Sequence, residues 1–163
     1  MYEPKLMQDT TVESRRPNEN NAYGSVAFLG HSPDHGVQYL YSRFDFKKIK
    51  VDSLKKMKQI LLYVPYYVAG DQEFRIAAPF QRFCSFGSNW ENKVSANNIR
   101  ASWWRNNKCF VFDLTHHLLT NEGKFKENNG IVLSPSKSNG IAVLATADNY
   151  SMPQIIKIQY EKE

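Results

Sequence analysis

Residues 39–46 alternate, with Leu40, Ser42, Phe44 and Phe46 on one side and Tyr39, Tyr41, Arg43 and Asp45 on the other. A period of two is that of a strand, here with one face in a core and the other dressed in aromatics and charge. Arg43 and Asp45 stand two apart, on the same face, and are placed to pair. Residues 58–68 set Ile60, Leu62 and Val64 against Leu61 and Tyr63. Both faces are apolar, which predicts a central strand. Pro65 brings no amide hydrogen, so its end must fall at an edge, a bulge or the strand's exit. Residues 26–29, closed by Gly30, read as a strand, and the loop 31–36 after them predicts an antiparallel hairpin with 37–46. Further strands are predicted at 73–78, ending at Pro79, and at 108–114, with Phe110, Phe112 and Leu114 inward and Val111 and Asp113 outward. Three more fall at 130–134, 140–145 and 155–160, the last setting Ile156, Ile158 and Tyr160 against Lys157 and Gln159.

Weaker signals fill the gaps. Residues 10–12 read as a short strand and 80–86 as a strand holding Phe83 or Phe86 inside. Residues 87–92 read as a loop carrying Trp90, and 97–98 and 105–107 as turns. One helical turn over 54–57 would be capped at Asp52-Ser53, and another over 115–119 at Asp113 or Thr115. Roughly nine short strands with turn punctuation and almost no helix predict an all-β fold, a single antiparallel β-sandwich. A chain of 163 residues suits one domain spanning 1–163, with 1–21 as an extended N-terminal segment.

Composition narrows the function classes. The net charge of +5 favours acidic partners, but the basic residues are scattered. Their one cluster, Lys47, Lys48, Lys50, Lys55, Lys56 and Lys58, surrounds a connection and reads as a solvated face rather than a nucleic-acid site. Cys84 and Cys109 make neither a disulfide framework nor a zinc set; two buried free thiols are preferred over a single bridge. No stretch approaches a membrane span, and no basic-then-apolar leader opens the chain.

The order of several segments resembles the DNRLRE domain family. The segments are Asn20-Asn21-Ala22-Tyr23-Gly24, Ser42-Arg43-Phe44-Asp45-Phe46, Ile60 to Val64, Trp90-Glu91 to Val94, Phe112-Asp113-Leu114-Thr115, Asn128-Asn129-Gly130 with the apolar run after it, and Pro153 to Tyr160. Two features depart from the family pattern: Ala145-Thr146-Ala147-Asp148-Asn149 replaces an aromatic-Ser-basic-Glu segment, and a second Trp after Trp90 is missing. The resemblance implies a jelly-roll-like sandwich, with Arg43, Phe44, Asp45 and Asp113 as a structural signature. It also implies a non-catalytic module at a cell surface, binding sugar in some members. An extracellular, cell-surface or spore-surface location is then expected, with the cytoplasm as the alternative.

Residue chemistry adds candidates. Trp103-Trp104-Arg105 and Tyr66-Tyr67 each place at least one ring outward, because strand neighbours point oppositely. Such rings stack on sugars, and Arg105 and Arg100 add attraction to acidic groups. In the competing reading one of Trp103 and Trp104 plugs an end of the sandwich and the other covers a sheet edge. His31, Asp34 and His35 share a loop without a third ligand at useful spacing, and His116-His117 make a poor bidentate pair. No metal site is assigned and no cofactor is expected. The oxygen-rich stretches 18–21 and 148–149 are the places where a structural calcium would sit. No nucleophile–base motif or phosphate loop occurs, and Asp45, Glu73, Glu91 and Asp113 are carboxylate candidates by type alone. The expectation is a non-enzymatic surface or envelope module binding a polysaccharide or a protein. The alternative is a structural assembly subunit of a bacterial coat or phage particle, without a small ligand.

Overall fold

The computed structural model describes residues 6–20, 24, 26–46, 56–84, 87–120, 128–136, 140–146, 149 and 151–161. Its strands are β1 (Leu6–Glu13), β2 (Val26–Leu29), β3 (His31–Ser32), β4 (Gly36–Phe44), β5 (Met57–Val68), β6 (Phe74–Pro79), β7 (Ala96–Asn98), β8 (Trp103–Arg105), β9 (Cys109–Asp113), β10 (Ile131–Pro135), β11 (Ala142–Ala145) and β12 (Ile155–Tyr160). One short helix, α1 (Thr115–Leu119), follows β9. The first sheet runs β1-β4-β10-β6-β7, with β3 beside β4, and the second runs β2-β11-β5-β9-β8, with β12 beside β5. The chain is an all-β antiparallel sandwich.

Its topology follows from a single pairing rule. Take β2, β4, β5, β6, β7, β9, β10 and β11 in order. The first pairs with the eighth, the second with the seventh, the third with the sixth and the fourth with the fifth, all antiparallel. The chain is a long hairpin bent between β6 and β7, then rolled so that β10 also meets β6 and β11 also meets β5. That double Greek key is the jelly roll. It overturns the expected hairpin between 26–29 and 37–46: β2 and β4 lie in different sheets, and the loop between them carries the chain across.

The alternating residues meet between the sheets. Leu40, Phe44, Ile60, Leu62, Val64, Phe74, Ile76, Phe110, Phe112, Leu133, Leu144, Ile156 and Ile158 form one buried cluster. Ser42 lies among them, its hydroxyl donating to Gln154 Oε1 at 3.1 Å. Burial of apolar area at about 25 cal/mol per Å² is what holds the two layers. β5 is central, as both its faces predict. Ile60 accepts from Leu114 and Tyr66 donates to Lys108, so even positions of β5 face β9. Pro65 therefore turns its nitrogen to the other edge, in the gap between the β12 partner of Tyr63 and the β11 partner of Tyr66. A residue without an N–H fits that gap at no cost in ladder bonds.

Several expectations need correction. The outward face of β4 is not dressed for solvent. Tyr41 and Arg43 are only 2% and 4% exposed. Tyr41 belongs to a second cluster with Val12, Ala77, Phe83 and Val132, roofed by Trp90, Val94 and Ala96. Residues 80–84 are irregular rather than a strand; Phe83 is buried while Phe80 is exposed, and Phe86 lies outside the described residues. Residues 97–98 belong to β7, not to a turn. The weak strand at 10–12 is the eight-residue β1, bearing buried Asp9, Thr10, Thr11 and Glu13. Both cysteines are free, as preferred, but Cys84 is exposed and Cys109 only half-buried. The basic stretch 47–50, Lys55 and the capping pair Asp52-Ser53 lie outside the described residues.

Candidate functional site

Three of the five ligand-binding candidates gather at one end of the sandwich. Within β8, neighbours point to opposite sides, so Trp103 and Arg105 share a direction that Trp104 does not. Trp103 turns inward, and its ring stands 5.5 Å from that of Phe74 and 6.1 Å from that of Phe110, both edge-on. Tyr66 packs its ring 5.1 Å from Phe110 and donates its hydroxyl to Asn106 O at 2.7 Å. These contacts pack the tryptophan against one end of the core. It keeps partial exposure at the rim of an open cleft of about 600 Å³.

Trp103, Arg105 and Phe110 line this cleft together with Gly140 and the segment Gly70, Asp71, Gln72 and Glu73. The Arg105 guanidinium donates to Gly70 O at 3.2 Å, tying β8 to the turn before β6. Gln72 is buried and braces the same turn: its amide nitrogen donates to Gly140 O at 2.7 Å and its oxygen accepts from the Glu73 amide at 3.1 Å. The cleft thus offers an aromatic rim, one guanidinium and two exposed carboxylates on a braced frame. Its volume falls in the range of small-molecule sites, and this donor set suits a polyhydroxylated ring. Asp71 and Glu73 come from one segment.

The other two candidates lie elsewhere. Trp104 is 43% exposed on the outer face of the second sheet. In register it forms a row with Val111, Tyr63 and Ile155 across four strands. The Lys157 ammonium sits 4.9 Å above the Tyr63 ring. Tyr67 is 52% exposed, and its hydroxyl accepts from Asn149 Nδ2 at 2.8 Å.

Arg43, Asp113 and Phe44 make contacts within the sandwich. Arg43 donates from Nε to Asn128 O at 3.2 Å. Burial and then the nearby Arg82 lower its pKa, while Asp45 raises it. Asp113 accepts from the Thr115 amide at 3.0 Å and from the Thr115 hydroxyl at 2.5 Å. The N-cap of α1 is Leu114, without a side-chain cap bond, so neither Asp113 nor Thr115 caps the turn as the sequence suggests. Phe44 is a core residue. His35 has a partner that the sequence did not suggest. Its Nδ1 lies 2.6 Å from Oε2 of buried Glu13, which also accepts from Gln38 Nε2 at 2.9 Å, and its ring stacks on Phe28 at 4.8 Å. Among the described residues no group of three His, Cys, Asp or Glu side chains is placed for a metal ion. The calcium stretches at 18–21 and 148–149 lie partly outside the described residues. Among the described residues, no helix is long and apolar enough to cross a membrane.

Fold and site together define an antiparallel jelly-roll sandwich with an aromatic-rimmed end cleft. No family model matches the chain, and no curated protein matches it.

Proposed function

We propose that the protein is a non-catalytic binding module that holds a carbohydrate in the end cleft, at a cell or spore surface. The observation that carries this reading is the convergence of Trp103 and Arg105 from one short edge strand on the Asp71–Gln72–Glu73 turn. An aromatic ring beside exposed carboxylates and a guanidinium is a set that can meet sugar C–H groups and hydroxyls together. The resemblance to DNRLRE modules, some of which bind sugars, points the same way. A panel of neutral and acidic polysaccharides tests it, with Arg105→Ala and Asp71→Asn as the variants, because Trp103→Ala would also open the core. Binding weakened by both variants supports the cleft. Binding untouched by both, or none with any glycan, refutes it.

A second reading, a structural assembly subunit, draws on exposed Trp104 and the half-buried Tyr63 and Ile155, which share a register row with buried Val111. Such a row suits a flat contact between copies. Mass measured against concentration decides it: a mass that rises with concentration and is held at the monomer by Trp104→Lys supports assembly, and a monomer throughout removes it.

A further inference from the structure

The outer face of the first sheet holds a second concavity, built from strands far apart in sequence. Tyr41, Val132, Ala77 and Asn98 stand in one register row across β4, β10, β6 and β7. Ser134 and Arg75 pair in the next outward-facing row. Val132 and Ala77 are short, so the sheet dips between Tyr41 and Asn98. The segment 91–96 closes over the dip and leaves a groove of about 280 Å³. The roof is pinned down: Tyr41 donates to Val94 O at 3.0 Å, Tyr39 packs its ring 5.1 Å from Trp90, and Lys93 donates to Trp90 O at 3.0 Å with its ammonium 4.0 Å over that ring.

The groove lining has unused bonding capacity. Among the described residues, the Arg75 guanidinium, the Tyr39 hydroxyl, the Glu91 carboxylate, the Asn98 amide and the Ser134 hydroxyl make no hydrogen bond or ion pair. Arg75 and Glu91 line one groove and do not pair with each other. Polar side chains that line a braced concavity without pairing with one another can bond a ligand in place of water. Two cations, Arg75 and Lys93, stand against one acid, Glu91, so the local balance is positive. A fork-shaped guanidinium without a partner matches a carboxylate in two parallel bonds. The neutral donors and acceptors suit hydroxyls, and the volume suits one six-membered ring.

We propose that this groove is a second binding site, separate from the end cleft, which takes a single carboxylate-bearing sugar residue. Its carboxylate lies on Arg75, and its hydroxyls meet Tyr39, Asn98 and Ser134. The ligand is a free uronate or the end residue of an acidic polysaccharide.

Calorimetric titration with glucuronate, its methyl ester, glucose and a short oligouronide tests this on the intact chain. Glucuronate is expected to bind, with the ester and glucose weaker by roughly tenfold or more. Arg75→Ala should weaken glucuronate by a similar factor and Arg75→Lys by less, whereas Lys108→Ala, at an exposed cation that lines neither site, should leave its affinity unchanged. Arg75 is exposed and has no partner among the described residues, so its variants fold, which thermal melting verifies. An oligouronide that binds more tightly than the monomer identifies a chain end as the ligand, and equal affinity identifies the free sugar; both support the site. Absence of glucuronate binding, equal affinity for glucose, or loss through Lys108→Ala instead of Arg75→Ala overturns the proposal.

Discussion

Replacing Tyr41 by phenylalanine removes one oxygen from the second cluster and should give a deficit in stability that vanishes in alkali. Near neutrality the loss is the hydrogen bond to Val94 O at 3.0 Å. Such a bond contributes about 1 kcal/mol net, and the half-exposed Val94 carbonyl can turn to water, so the deficit should stay about that size. The wild-type phenol is 2% exposed. Burial first, and then the neighbouring Tyr39, push its pKa from 10.0 to about 12. Between those values the unfolded chain releases the proton and the folded chain keeps it. The unfolded state binds fewer protons, so wild-type stability falls as pH rises through this window. The fall is about 1.4 kcal/mol at about pH 11 and approaches about 2.7 kcal/mol above pH 12. The substituted side chain has no such proton to lose. Urea unfolding of both proteins at about pH 7, 9 and 11 should show the variant about 1 kcal/mol weaker at the first two and level with wild type, or slightly better, at the third. A deficit of constant size at all three would refute the reasoning.

Gly130, at φ +88°, would place a Cβ far inside van der Waals contact with Ser42 O. Gly130→Ala should therefore cost roughly 3 kcal/mol or more, visible as a lower denaturation midpoint with β10 displaced from β4. Thr10 Oγ1 is buried without a partner among the described residues. Thr10→Val keeps the shape and removes the desolvated hydroxyl, so thermal melting should show a gain of about 1 kcal/mol, and a loss would mean that the hydroxyl has a role. Burial, and then the nearby His116, lower the pKa of His117 from its ordinary 6.5. The folded state then resists protonation that the unfolded state accepts, and stability is lost as pH falls below that value. His117→Gln should gain on wild type as pH drops from about 7 to about 5, and melting curves that keep a fixed separation would count against this.

The sandwich was legible where strands are long and their period is unbroken. Leu40 and Phe44, Ile60 to Val64, Phe110 and Phe112, and Ile156 and Ile158 all declare their inner face by alternation alone. β1 was largely hidden because Asp9, Thr10, Thr11 and Glu13 are polar residues buried by pairing, and composition marks such a stretch as surface. The fate of Tyr41 was hidden for another reason. Alternation assigns a face, but only tertiary structure reveals that residues 91–96, which have no period, cover that face. β8 has three residues, too few for a pattern, so the sequence could say that Trp103 and Trp104 diverge but not which one enters the core. The groove of Arg75, Ser134 and Tyr39 was invisible because its residues meet only through register between distant strands.

The rolled hairpin also divides the molecule into interdependent halves. Cutting the backbone in the bend between Pro79 of β6 and Ala96 of β7 would leave β1 to β6 on one fragment and β7 to β12 on the other. Six of the ten ladders among the described residues, all those of the jelly roll proper, would then join one fragment to the other, as would the ladder between β5 and β12. Alone, the first piece would keep only β1, β3 and β4 in register, and the second only β8 and β9. Neither piece keeps two sheets to pack face to face until it meets the other, so the bend is a natural seam for reassembling the protein from two separate peptides.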